Sequence, residues 1–169
     1  MIAVILALGV THILGYGGLV AQNHKLVKMY WVHSVWVVLA LLAHFAAWWN
    51  IWELREDLQF SLYVFLYMLI GPTALFLATR LIVPRLHESG EIDLESHYFS
   101  VHRTFFVLLG VFLIWPSLLG IAVTESVSVM GIVDHFALLV PVLACALSAN
   151  RRLHAIVAVL MGIAFIADA

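Results

Sequence analysis

Residues Tyr30 to Leu54 read YWVHSVWVVLALLAHFAAWWNIWEL, and this stretch decides the fold. Between Tyr30 and Trp52 it holds no acidic or basic side chain apart from His33 and His44. As a single helix it can therefore cross a hydrocarbon layer about 30 Å thick. The two histidines stand eleven residues apart, about three helical turns, so they project from one face. Ala40 and Ala47 share that face, and small residues around an intramembrane polar group predict a surface closed by neighbouring helices. Trp48, Trp49 and Trp52 crowd the far end, where an aromatic belt marks a membrane surface.

The rest of the chain repeats this character. It is 64% hydrophobic and 11% charged, with a mean hydropathy of +1.08, which excludes an ordinary soluble domain. Apolar stretches at about 1–20, 30–52, 60–83, 104–124, 127–149 and 152–168 predict one all-α integral membrane domain over residues 1–169, a six-transmembrane-helix bundle. If the spans alternate in direction, Lys25, Lys28, Arg80, Arg85, Arg103, Arg151 and Arg152 fall on one side and Arg55 alone on the other. The positive-inside rule then puts the first group in the cytoplasm, with both termini and the tryptophan belt on the extracytoplasmic side of a cell membrane. The first stretch lacks a basic n-region and reads as a retained span rather than a cleaved signal. Cys145 stands alone within the fifth stretch, so no disulfide or thiolate cluster is expected and the thiol reads as a small core residue.

The cytoplasmic segment from 84 to 103 reads PRLHESGEIDLESHYFSVHR. Asp93 is a plausible N-cap for a short interfacial helix leading into the fourth span. His87, His97 and His102 with Glu91 and Asp93 could hold a divalent metal, but their spacing matches no compact ligand signature. The other reading is a solvated interfacial helix. Asp93-Leu94-x-x-His97-Tyr98-Phe99, followed by Arg103 and Phe105-Phe106, resembles a pattern in a group of small uncharacterised bacterial multi-span membrane proteins. That resemblance implies a bacterial cytoplasmic membrane and carries no activity with it.

Depth along the spans is the sharper guide to chemistry. His12 lies eleven residues from Met1, His44 nine from Glu53, Tyr67 eight from Gln59, Trp115 ten from Glu125, and Asp134 and His135 eight and nine from Ser126. At about 1.5 Å per residue all six fall roughly 12–17 Å below the outer surface. Ionisable groups at that depth are expensive and point to function, or else to hydrogen bonds that fix packing. Asp134 would have to be neutral, paired with a histidine or wetted by a cavity.

Three functional classes fit. The first is a transporter or channel for a proton, ion or small solute. His12, His44, Asp134 and His135 would form its protonatable site, supported by Tyr67 and Thr11. In outline this resembles the acid-gated urea channels, which also have six spans and external termini. The second is a haem b electron-transfer protein with two of His12, His44 and His135 as axial ligands, and His33 with His102 nearer the cytoplasm. The third is a non-catalytic membrane subunit, sensor or assembly factor. The transport reading needs no cofactor, and the expected partners are the lipid bilayer, a small solute or ion, and in an oligomer a second copy. No catalytic nucleophile is identifiable, and a net charge of −2 gives no reason to expect nucleic acid.

Overall fold

The computed structural model describes residues 1–53, 61–84, 92–123 and 129–167, and the side chains of all of these except 119–123 and 129–135. These residues form six α-helices: α1 (Ile2–Gln22), α2 (Trp31–Glu53), α3 (Leu62–Ile82), α4 (Leu94–Val123), α5 (Val129–Leu147) and α6 (Arg151–Ala167). Four stretches, Ile2–Gln22, Trp31–Glu53, Leu62–Ile82 and Leu94–Leu118, are long and apolar enough to cross a membrane. Apolar side chains stand exposed on every helix, among them Leu8, Phe45, Leu66, Val107, Val140 and Ile163. Such a surface suits lipid as solvent.

Helix ends follow local chemistry. Asn23 closes α1 by returning both its backbone N–H and its side-chain amide to the Leu19 carbonyl, each at 3.0 Å. Ser61 opens α3 by accepting from the Val64 amide at 3.2 Å. Asp93 opens α4, its Oδ1 accepting from the amides of Glu95 (3.0 Å) and Ser96 (3.1 Å), as an N-cap aspartate does. From Leu94 the chain is helical without a break to Val123, so the segment read as an interfacial helix and the fourth span are one element. Asn150 caps α6 through the Arg152 amide at 3.0 Å.

The α1–α2 connection, the lead into α4 and the start of α6 meet at one end. A two-residue strand β1 (Val27–Lys28), between α1 and α2, pairs in parallel with β2 (Ile92–Asp93), just before α4. Lys28 Nζ donates to Asp93 Oδ2 at 2.7 Å. The start of α6 joins them through an ion pair of 2.8 Å between Arg151 Nε and Glu95 Oε1. Lysine and arginine thus collect at this loop end, while Trp48, Trp49 and Trp52 are exposed near the far end of α2.

Packing puts α3 against α4 and α1, α4 against α5, and α2 between α1, α3 and α6. The α2 face carrying His33, Ala40, His44 and Ala47 is buried throughout. Two glycines permit the closest approaches. A Cβ at Gly9 of α1 would collide with the His44 ring, and one at Gly71 of α3 with the Trp115 indole. On α1, Gly17 faces open space. Gly9→Val is therefore expected to destabilise the bundle by about 1–3 kcal/mol through overpacking, whereas Gly17→Val stays near neutral. Thermal unfolding of the two variants in the same detergent checks this, and equal melting temperatures would refute it.

Candidate functional site

Below the loop end, four histidines and a tyrosine from α2, α4 and α6 form one buried network. Its first part caps α3. That helix stops at Ile82, with Val83 extended (φ −82°, ψ 113°) ahead of Pro84, as a residue before proline prefers. Pro84 has no N–H, so the last carbonyls need donors from elsewhere. His33 Nε2 of α2 donates to the Ile82 carbonyl at 2.8 Å. His97 Nε2 of α4 donates to Leu81 and Ile82 at 3.0 and 3.2 Å. The two rings meet edge to face, their centroids 6.3 Å apart.

The second part ties α4 to α6. His154 Nε2 reaches the Ser148 carbonyl at 2.7 Å. A carbonyl only accepts, so Nε2 carries the proton and Nδ1 of the neutral ring is an acceptor. The Tyr98 hydroxyl donates to that Nδ1 at 2.7 Å. His102, one turn beyond Tyr98, gives its Nδ1–H to the Phe99 carbonyl at 2.6 Å, and its ring centroid lies 5.5 Å from that of His154. Tyr98, His33 and His154 are all fully buried, walled by Trp36, Phe105 and Phe106.

The residues expected at mid-depth take separate partners. Arg80 Nη1 donates to His12 Nδ1 at 3.0 Å, so its guanidinium turns to α1. His44 gives Nδ1–H to the Ala40 carbonyl at 2.7 Å and turns Nε2 toward Gly9. The Tyr67 carbonyl, rather than its hydroxyl, is engaged, accepting from Trp115 Nε1 at 3.0 Å. Thr11 bonds its own helix at the Ala7 carbonyl, 2.8 Å away. Among the described residues no hydrogen bond joins His12, His44 and Tyr67 to one another. The Asp134 and His135 side chains, like His87 and Glu91, lie outside the described residues.

Of the residues considered for a metal, Asp93 holds Lys28 and the start of α4, while His97 and His102 spend an N–H on carbonyls. Among the described residues no group of three or more His, Cys, Asp or Glu side chains is placed to hold a metal ion. Among the described residues three imidazole nitrogens are buried without a hydrogen-bond partner: His33 Nδ1, His44 Nε2 and His102 Nε2. His154 was hidden in the sequence because the sixth stretch reads as apolar. The available signal was the turn Ser148-Ala149-Asn150, which leaves carbonyls to be met by the next turn.

The paired strands β1 and β2 form a strap across the loop end, and a Lys28–Asp93 ion pair holds it. The hydrogen bond from Lys28, followed by that from the Ser96 amide, holds the Asp93 carboxyl below its ordinary value. The same bond to Asp93 holds the Lys28 ammonium above its own. No family model, curated protein or solved structure matches the chain.

Two outcomes follow. Tyr98→Phe leaves His154 Nδ1 buried without a donor and should cost about 1–3 kcal/mol. Adding His154→Phe removes the orphan, so the double variant should lose less than the sum of the singles in a thermal-unfolding cycle. For the strap, a depressed carboxyl contributes fully above the unfolded-chain value of 3.8, and that contribution fades as pH falls through the folded value. Lys28 contributes fully below 10.5 and loses its part as pH rises through its folded value. Hydrogen exchange at Lys28 and Asp93, corrected for intrinsic rates, should show lost protection at both extremes. Asp93→Asn should remove the acid limb.

Proposed function

We propose that this chain is a transporter or channel of a cell membrane, moving a proton, ion or small solute by way of protonatable histidines. Six spans, external termini and a cytoplasmic loop end belong to this reading. The gathering of Lys28 and Arg151 at that end supports the orientation through the positive-inside rule.

The observation that carries the proposal is the set of buried, unpartnered nitrogens His33 Nδ1, His44 Nε2 and His102 Nε2. Leaving a buried acceptor unmet costs about 1–3 kcal/mol. Among the described residues these three nitrogens stand unmet beside the Trp36 indole and the Thr79 and Ser117 hydroxyls, and of that set the imidazole nitrogens are the atoms that accept a proton near neutral pH. His44 and the loop-end network of His33, His97, Tyr98, His102 and His154 are the groups proposed to carry it. Asp134 and His135 extend the same reading along α5.

Haem b remains a second reading on one observation. His44 gives Nδ1–H to a backbone carbonyl and keeps Nε2 unbonded, the arrangement of a ligating histidine. That Nε2 faces Gly9, so a haem there requires α1 to stand away from α2.

Absorption spectra of protein expressed with a haem supply separate the two. We expect no Soret band, and proton flux in proteoliposomes that falls about tenfold or more in His44→Ala and Asp134→Asn while both variants stay folded. A stoichiometric Soret band would replace transport with electron transfer. Neither a band nor a flux would leave a non-catalytic membrane subunit.

A further inference from the structure

Above the histidine network, and divided from it by Phe99, the loop end holds an open cleft of about 460 Å³. Lys28 and Asp93 of the strap line it, with Glu95, Ser96 and Phe99 from the first turns of α4 and Arg151 from the start of α6. On its inner side Phe99 packs edge-on against Tyr98 and His154, with centroids 5.1 and 5.3 Å away.

Part of the hydrogen-bonding capacity that lines the cleft is unspent. Asp93 is spent: Oδ2 takes the Lys28 ammonium and Oδ1 takes two amides. Lys28 has used one of three donors. Arg151 Nε lies 2.8 Å from Glu95 Oε1, yet that oxygen has no hydrogen-bond partner, so the contact is one of charge alone. Nε and Oε1 are engaged with each other as an ion pair, while among the described residues the two terminal guanidinium nitrogens of Arg151 and Oε2 of Glu95 take no hydrogen bond. The cations are open to solvent, Lys28 at 68% and Arg151 at 74%, while Asp93 and Glu95 are 39% and 23% exposed, and pairs open to water on the cation side are weak enough for a phosphate to compete with.

We propose that the cleft binds a small ammonium–phosphate zwitterion. Lys28 and Arg151 hold the phosphate, and Glu95 holds the ammonium against the Phe99 ring. A simple anion would face the Glu95 carboxylate, and a simple cation would face Lys28 and Arg151. Only a ligand of both signs meets both walls. Two separate cations with several N–H groups suit the many oxygens of a phosphate, and an aromatic face suits an ammonium. The starts of α4 and α6 add positive dipole ends near the phosphate side. The chemistry is that of an ethanolamine phosphate, free in solution or as a lipid headgroup. It is independent of what the histidine network moves.

The test uses the full chain. O-phosphoethanolamine and inorganic phosphate are titrated calorimetrically into detergent-solubilised protein, and melting temperatures are compared in phosphatidylethanolamine and phosphatidylcholine bicelles. Saturable phosphoethanolamine binding, about tenfold or more tighter than inorganic phosphate, is expected for a free zwitterion. A higher melting temperature in the ethanolamine bicelles alone identifies the lipid. Glu95→Gln and Arg151→Gln should each weaken the effect about tenfold, and Arg151→Lys should retain most of it. Lys25→Gln, which removes one charge outside the cleft, should change nothing. Melting without ligand separates a folding defect in Arg151→Gln from lost binding. The proposal fails if inorganic phosphate binds as tightly as phosphoethanolamine, if neither arm responds, or if Lys25→Gln weakens binding as much as Arg151→Gln.

Discussion

Two imidazole N–H groups, one from α2 and one from α4, converge on the carbonyl that ends α3. The geometry of the loop end depends on that convergence. In water the last carbonyls of a helix are met by solvent, but in a bundle with an apolar exterior they must find donors inside the protein. Pro84 withholds the donor that a continuing helix would supply, and His33 and His97 bring theirs from two other helices. One capping event thereby fixes three helices relative to one another. The register of the strap follows, since β1 leads into α2 and β2 into α4.

The same rule accounts for the polar start of α4. Glu95, His97, His102 and Arg103 depress the hydropathy there, and the sequence places the fourth span from about residue 104. The helix nonetheless runs from Leu94, because three of those side chains have partners within the protein. Glu95 has Arg151, His97 has the end of α3, and His102 has the Phe99 carbonyl. A sliding average of hydropathy counts a polar side chain without knowing whether something answers it. What such an average does recover is shown by α2, where spacing alone predicts that His33, Ala40, His44 and Ala47 share a buried face.

Depth counting has the complementary weakness. It puts His12, His44, Tyr67 and Trp115 at one level, but level leaves open the direction in which each helix turns its side chain. His12 faces Arg80, and His44 faces Gly9. Trp115 finds a carbonyl rather than the hydroxyl of Tyr67. Each answer depends on a residue of another helix 35 to 68 positions away, which no local pattern encodes. Tyr98 and His154, 56 apart in sequence, escape a local reading for the same reason.

The histidines divide by what meets their second nitrogen. Those of His33, His97, His102 and His154 in the network, and His44 below it, all give an N–H to a carbonyl, so the backbone fixes the tautomer in every case. For His154 the remaining lone pair receives the Tyr98 hydroxyl, completing a link from α4 through α6 to the Ser148 carbonyl. For His33, His44 and His102 it receives nothing. A residue kept only to cap a helix could satisfy its carbonyl through an asparagine or glutamine amide, without a ring nitrogen left over. At His33 the leftover acceptor is the part of imidazole that capping α3 does not use, and at His44 and His102, whose N–H groups serve carbonyls of their own helices, a lone pair is left over in the same way.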